Sequence, residues 1–295
     1  MNFTQKLKEW QHSVNQSLGQ RMPPADLVPP RLHQAMRYSM EVGGKRLRPI
    51  LVLAAHELFP SSIDPMPAAM AIECIHAYSL IHDDLPAMDD DDYRRGQLSC
   101  HKKFDEATAI LTGDAIQPLS LEVLTSIEDP NLNDETKLKI INLFARACGP
   151  EGMVEGQNRD ILSENKVLTE EELDEIHYLK TGKLIEACVM CVCLIKKDID
   201  DITIKKLIKF SNKFGLAFQI RDDILDEIGD ETKIGKPIKS DIKNNKSTYP
   251  SILGIEKSQK KAELLINESL EILNELPFKT DKLKFLCELV IKRNN

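Results

Sequence analysis

His82-Asp83-Asp84-Leu85-Pro86-Ala87-Met88-Asp89-Asp90-Asp91-Asp92-Tyr93-Arg94-Arg95-Gly96 follows directly on an apolar, helix-forming run from Met66 to Ile81. Six carboxylates fall within ten residues here, and two arginines come straight after them. Carboxylates crowded this closely repel one another, so some stay protonated or all share a cation. Hard divalent ions such as Mg2+ take oxygen ligands, and usually reach a protein through one or two carboxylates plus a substrate phosphate. Arg94-Arg95 supplies what carboxylates cannot, a bidentate donor fork for phosphate oxygens. The plain alternative is a solvated acidic loop after a helix.

A second acidic site weighs against that alternative. Gln219-Ile220-Arg221-Asp222-Asp223-Ile224-Leu225-Asp226 sits late in another long helical pattern. On a helix, Asp222 and Asp226 are i,i+4 neighbours, and Gln219 and Asp223 fall near the same face. Like charges at that spacing destabilise a bare helix and call for a compensating cation. Two such clusters, each ending an apolar helix, suggest two walls of one metal–diphosphate site.

The rest of the chain fits a helical enzyme. At 295 residues it is near the upper limit for one hydrophobic core, and no composition break divides it, so residues 1–295 are expected to form a single domain. The net charge of −8 argues against nucleic acid, whose binders carry basic patches, and leaves anionic substrates to local cations or metals. No run is apolar enough to span a bilayer, and Met1 to Gln20 lacks a signal-peptide core. Seven cysteines, an odd number scattered through helical patterns, suit a reducing cytoplasm. Cys188-x-x-Cys191-x-Cys193 has a soft-metal spacing, but it lies inside the apolar run Leu184 to Ile195 and reads as buried thiols.

Apolar positions recur with the helical period almost throughout, and alternating strand patterns are scarce. Helices are expected at 2–19, 30–43, 47–59, 66–84, 104–127, 133–148, 169–196, 201–227, 247–275 and 280–292. Pro23-Pro24, Pro29-Pro30, Pro60 and Pro65 mark turns, and Thr169-Glu-Glu-Glu172 is a capping box opening the helix that carries Lys180-Thr181. Gly229, Gly235 and Pro237 mark a lysine-rich polar loop from Ile228 to Lys246. The expected architecture is an all-α bundle.

Other segments carry polar groups that a bundle does not need. Gly43-Gly44-Lys45-Arg46-Leu47-Arg48-Pro49 joins two helices, its glycines allowing close backbone approach and its cations preceding a helix N-terminus. His76 lies two turns before Asp83 on the same face. Lys180-Thr181-Gly182 interrupts an apolar pattern with a cation and a hydroxyl. Gly152-Met153-x-x-Gly156-Gln157 sets two small residues on one helical face, which favours close packing. Lys236 and Lys246, in and beside the glycine-containing loop, are placed to reach phosphates as a lid closes.

Together these residues resemble the short-chain trans-prenyltransferases of the polyprenyl synthase family, and within it the bacterial farnesyl diphosphate synthases (geranyltranstransferases). The likeness runs along nearly the whole chain. It covers Gly43-Gly44-Lys45-Arg46-x-Arg48-Pro49, Glu73-Cys74-Ile75-His76-Ala77-Tyr78-Ser79, Asp83-Asp84 with Asp89, and Arg94-Arg95-Gly96. It continues through Gly113-Asp114, Gly152-Met153-x-x-Gly156-Gln157, Lys180-Thr181-Gly182, Gln219-x-x-Asp222-Asp223-x-x-Asp226, Gly235-Lys236 and Lys246-Ser247-Thr248-Tyr249-Pro250. Leu98 stands where proline is common in the family, and Arg221 where glutamine is frequent.

The resemblance implies the isoprenoid-synthase helical fold with a central active-site cavity. It also implies a cytoplasmic homodimer acting on small-molecule diphosphates. An allylic diphosphate would sit between Asp83, Asp84 and Asp89 on one wall and Asp222, Asp223 and Asp226 on the other, bridged by about three Mg2+, with Mn2+ as a substitute. Arg94, Lys180, Lys236 and Lys246 would steady the departing diphosphate. Gly44, Lys45, Arg48, His76 and Arg95 would hold isopentenyl diphosphate without metal. Thr181 and Gln219 would offer an oxygen and an amide dipole to the allylic cation. Tyr78, with Ser79 beside it, would floor the channel and stop the product at fifteen carbons. The alternatives are a twenty-carbon geranylgeranyl product, a class I terpene cyclase, or a non-catalytic subunit of a heteromeric synthase. A cyclase would not need Lys45, Arg48 and Arg95, and a non-catalytic subunit would be expected to have lost aspartates.

Overall fold

The structure, a computed structural model, describes residues 3–59, 61–127, 129–229 and 246–292. Its elements in order are α1 (Phe3–Arg21), α2 (Pro30–Glu41), α3 (Leu47–His56) and α4 (Met66–Asp83), then a hairpin of β1 (Tyr93–Arg94) and β2 (Gln97–Leu98). There follow α5 (Cys100–Lys103), α6 (Glu106–Thr125), α7 (Asp134–Cys148), α8 (Met153–Leu162), α9 (Glu170–His177), a π-helical turn (Tyr178–Gly182) and α10 (Lys183–Lys196). The chain continues with α11 (Asp201–Ile228), and after residue 245 with α12 (Tyr249–Leu253), α13 (Ile255–Asn274) and α14 (Asp281–Lys292). Among the described residues the fold is all-α apart from the two-residue strands, which pair antiparallel as Tyr93↔Leu98 and Arg94↔Gln97.

Helix α4 lies at the centre because it is apolar all round, as a helix with no wet face must be. Ala68, Ala69, Ala71, Ile72 and Ile75 have no exposed surface. It packs against α3 and α6, while α11 packs against α10 and α13. One hydrophobic core runs from Val14 on α1 to Val290 on α14. Helix starts are set by side-chain caps: Asp105 accepts from Thr108 N–H at 2.7 Å and Asp200 from Thr203 N–H at 2.8 Å. Thr169 and Glu172 complete the capping box expected from sequence.

Three boundaries differ from expectation. Residues 153–162 form α8, a helix the periodicity does not announce because Gly152 and Gly156 flank a short apolar pair and dilute the signal. The expected 169–196 helix is broken in its ladder by the π-turn at Tyr178–Gly182. The expected 247–275 helix divides at Gly254, whose φ of +80° no helical residue adopts. The hairpin also goes unannounced. Its two-residue turn, Arg95-Gly96, has φ of +55° and +77°, the mirror-image geometry that matches strand twist.

Candidate active site

The last turn of α4 delivers Asp83 to a cleft of about 1130 Å³, and Asp89 enters the same cleft from the loop that follows. Asp89 N–H donates to the Asp83 carbonyl at 2.8 Å, which closes that loop into a tight return. Carboxylates at a helix C-terminus oppose its dipole, so fold stability does not explain their presence. Burial, together with Asp89 and Asp84, pushes the Asp83 carboxyl up to about 6, with Lys180 and Arg94 pulling the other way. Native Asp83 therefore holds its proton more tightly than the unfolded chain does. Its ionised form costs stability above about pH 6, and that cost disappears below the ordinary carboxylate range near 4. Metal-free Asp83→Asn should accordingly melt higher than the wild type at pH 7.5, with the gap closing as pH falls through 6 toward 4. Paired thermal melts measure this.

Asp84 turns the other way. It is 2% exposed and takes Arg94 Nε at 2.9 Å. Arg94 also reaches Asp91 at 3.1 Å. Of the six aspartates expected to bind metal, Asp84 is the one that does not line the cleft. Its carboxylate fixes the Arg94 guanidinium, which does line it.

The opposite wall is α11. Asp222, Asp223 and Asp226 lie in its final two turns and all line the cleft. Asp223 is held from both sides. Gln219 Nε2 donates to Oδ1 at 3.0 Å and Tyr249 N–H to Oδ2 at 3.1 Å, with His177 Nε2 3.4 Å from Oδ2. Thr181 Oγ donates to Gln219 Oε1 at 2.9 Å, which fixes the amide orientation that lets its NH2 face Asp223.

Two lysines join the walls. Lys246 Nζ contacts Asp89 Oδ1 at 2.6 Å and Asp160 Oδ2 at 3.2 Å, while Lys180 Nζ contacts the same Asp160 oxygen at 2.6 Å. Burial opposes the charge on both lysines, but the surrounding carboxylates outweigh it and raise both pKa values. Burial likewise opposes ionisation of Asp160, and Lys180 and Lys246 overcome it to hold the carboxyl well below the usual range. A polar network thus runs from Asp89 through Lys246, Asp160 and Lys180 to its neighbour Thr181, and on to Gln219 and Asp223. These ammonium groups stand where cations are wanted among hard oxygen donors, a donor set suited to Mg2+.

The π-turn carries Lys180 and Thr181, and α8 presses directly on it. A Cβ on Gly156 would lie 2.2 Å from Lys180 N and 2.5 Å from Lys180 Cα, so the small residue is required by backbone-to-backbone packing. Gly156→Ala should cost about 1–3 kcal/mol as overpacking and lower activity by shifting Lys180. Denaturant melts and steady-state rates check both effects.

A separate basic patch lines the cleft next to the first wall, formed by Lys45, Arg48, His76 and Arg95. Gly44, with φ of +121°, lets Arg95 lie against the backbone; a Cβ there would be 2.6 Å from Arg95 Cζ. Arg95 donates to the Gly43 carbonyl and sits 3.7 Å from buried Glu73. Arg48 Nη1 lies 3.3 Å from His76 Nε2. Burial, then Arg48 and Arg95, holds the His76 pKa well below its usual value. The ring is therefore neutral, with Nε2 accepting from a guanidinium that can only donate. Tyr78 and Ser79 line the same cleft one turn before Asp83, and Tyr78 is 5% exposed.

Lys236, expected to contact diphosphate, lies outside the described residues. Asp160 and His177 are site residues that sequence reasoning missed. Asp160 is i+4 from Gly156, so a helix over 153–162 would have placed it on the face that meets Lys180. The three clustered cysteines are buried inside α10, with Cys188 and Cys193 each pushed by burial up to about 12.

A family model described as polyprenyl synthetase matches residues 29–289. The chain belongs to the polyprenyl synthetase family. It is 45% identical over 288 residues to the farnesyl diphosphate synthase of Micrococcus luteus, with 97% of each chain covered. To the farnesyl diphosphate synthase of Escherichia coli it is 43% identical over 298 residues, covering 100% of both. A geranyltransferase from Helicobacter pylori, solved with magnesium and isoprenyl diphosphate, superposes with a TM-score of 0.87 at 31% identity, covering 99% of this chain and 97% of that one. This polyprenyl synthetase is therefore an enzyme of prenyl transfer, from a family that uses divalent metal. Among the described residues no helix is long and apolar enough to cross a membrane.

Proposed function

We propose that this protein condenses isopentenyl diphosphate with dimethylallyl and then geranyl diphosphate, giving (2E,6E)-farnesyl diphosphate by ionisation, condensation and elimination. The observation that carries the reading is one cleft lined by two rows of aspartates, with a basic patch beside them. Mg2+, about three ions with Mn2+ as a substitute, would be held by Asp83 and Asp89 on one side and Asp222, Asp223 and Asp226 on the other, and supplies charge neutralisation at the leaving diphosphate.

The chain's own residues do the rest. Lys180 and Lys246 exchange their carboxylate partners for diphosphate oxygens, and Arg94 is held in reach by Asp84. Lys236 is assigned to the same diphosphate. Thr181 Oγ and the Gln219 amide, locked to each other, present lone pairs and a dipole to the allylic cation. Lys45, Arg48, Arg95 and neutral His76 at the Gly44 turn hold isopentenyl diphosphate so that its double bond faces that cation. The proton released at elimination passes to the departing diphosphate. All of this is assigned to one domain over residues 1–295, acting in the cytoplasm as a homodimer. Exposed Ile110 and Leu111 on α6, 45% and 56% accessible, support packing between copies through helices.

The test is a single incubation with dimethylallyl and isopentenyl diphosphates, read by chromatography. Farnesyl diphosphate is expected from the wild type, and no turnover from geranyl diphosphate alone. Consumption of geranyl diphosphate alone would indicate a cyclase, and a geranylgeranyl product would overturn the fifteen-carbon assignment. Tyr78, which lines the cleft one turn before Asp83, is assigned as the floor of the product channel, so Tyr78→Ala should shift the main product to twenty carbons or more. An unchanged product spectrum would remove Tyr78 as the floor.

A further inference from the structure

We propose that Asp90, Asp92 and His101 form a second divalent-cation site, outside the catalytic cleft, that takes a transition ion such as Mn2+ or Zn2+. Each of the three side chains offers a ligand atom within 4.8 Å of the other two. None of them lines the cleft that holds Asp83 and Asp222. Between them in sequence, Asp91 turns to Arg94 at 3.1 Å, while Asp90 and Asp92 are exposed on the outer side.

His101 is what distinguishes this cluster from an ordinary acidic surface. Its side chain is only 7% exposed, its Nδ1 is paired with Ser99 Oγ at 3.0 Å, and its Nε2 is buried with no hydrogen-bond partner. Buried ring nitrogens are normally satisfied. With the proton on Nδ1 donated to Ser99, Nε2 presents a lone pair, the arrangement that orients an imidazole toward a metal. One imidazole nitrogen and two carboxylates make a mixed donor set. It suits Mn2+ or Zn2+ better than Mg2+, which prefers oxygen alone and dehydrates reluctantly.

Lys102 Nζ lies 2.8 Å from Asp92 Oδ1, and both side chains are exposed, 39% and 57%. Such a pair is screened by solvent and easily displaced by a divalent ion. Asp92 and His101 flank the β1–β2 hairpin, and Asp90 adjoins Asp89. An ion here would tie the base of the hairpin that presents Arg94 and Arg95 to α5, and with it the loop that presents Asp89.

The full chain is titrated with MnCl2 in the absence of any diphosphate and read by pulsed EPR. The expected result is one Mn2+ with 14N coupling from an imidazole, kept in Asp83→Asn and lost in His101→Gln. Since His101 is buried, exposed Asp92→Asn serves as the second variant and should weaken that Mn2+ at least about tenfold. Absence of 14N coupling in the wild type, its survival in His101→Gln, its loss in Asp83→Asn, or wild-type affinity in Asp92→Asn would each overturn the site.

Discussion

Asp222→Ala is expected to lower kcat at least about a hundredfold, the scale on which losing one preorganised electrostatic contact slows an enzyme, while the fold survives. Asp222 stands in the last two turns of α11 and faces the first wall across the cleft. Under the proposed function, its loss removes an oxygen donor at the place where charge would develop on the leaving group. It also relieves repulsion among like charges at a helix C-terminus, so the metal-free protein gives up little stability. Asp83→Ala should behave the same way from the opposite wall, since burial already penalises its ionised form. Steady-state kinetics beside helical circular dichroism and thermal melts separate the two effects. A kcat within a few-fold of wild type in either variant would break the two-wall assignment.

Chelation should have the larger effect still. With divalent ions removed by EDTA, turnover is expected to fall to background and to return with Mg2+ or Mn2+, but not with K+. The cations nearest the two rows of aspartates are committed: Lys180 and Lys246 balance Asp160 and Asp89, and Arg94 balances Asp84 and Asp91, while Lys45, Arg48 and Arg95 form the separate patch assigned to the second diphosphate. A diphosphate entering that metal-free cleft would meet aspartates on both sides with too little positive charge to offset them. Radiolabelled product assays across an EDTA series measure this directly. Activity that survived excess chelator would contradict the metal-bridged site.

Conditions short of complete removal are informative as well. Partial restoration by Mn2+ alone would be consistent with a donor set of carboxylates.

The acidic and basic motifs were legible in sequence because they violate what a helix needs for its own stability. Asp83 at the end of α4 and Asp222 and Asp226 at i,i+4 near the end of α11 each defy dipole and charge-pair rules, and local rules can be checked along a single chain. Asp160 breaks no local rule. It is an ordinary helical aspartate until tertiary packing brings Lys180 and Lys246 to it from residues 20 and 86 positions away. The same holds for Asp84, which local reading grouped with its neighbour Asp83. The loop after α4, closed by Asp89 N–H on the Asp83 carbonyl, brings Arg94 back to it, and its carboxylate pairs with that guanidinium instead of lining the cleft.

By itself, then, the sequence determined the helical class, the two rows of acids, the cation-rich turn at Gly44 and the aromatic residue one turn beneath Asp83. Each is encoded in periodicity or in charge spacing within a few turns. Tertiary structure decided which of those side chains share a cavity, which acid is held by which cation, and that Gly156 must be small because α8 rests on the Lys180 backbone. The reason is that helical period fixes the face a residue occupies on its own helix, whereas the partner across the cleft is chosen by close packing between helices far apart in the chain.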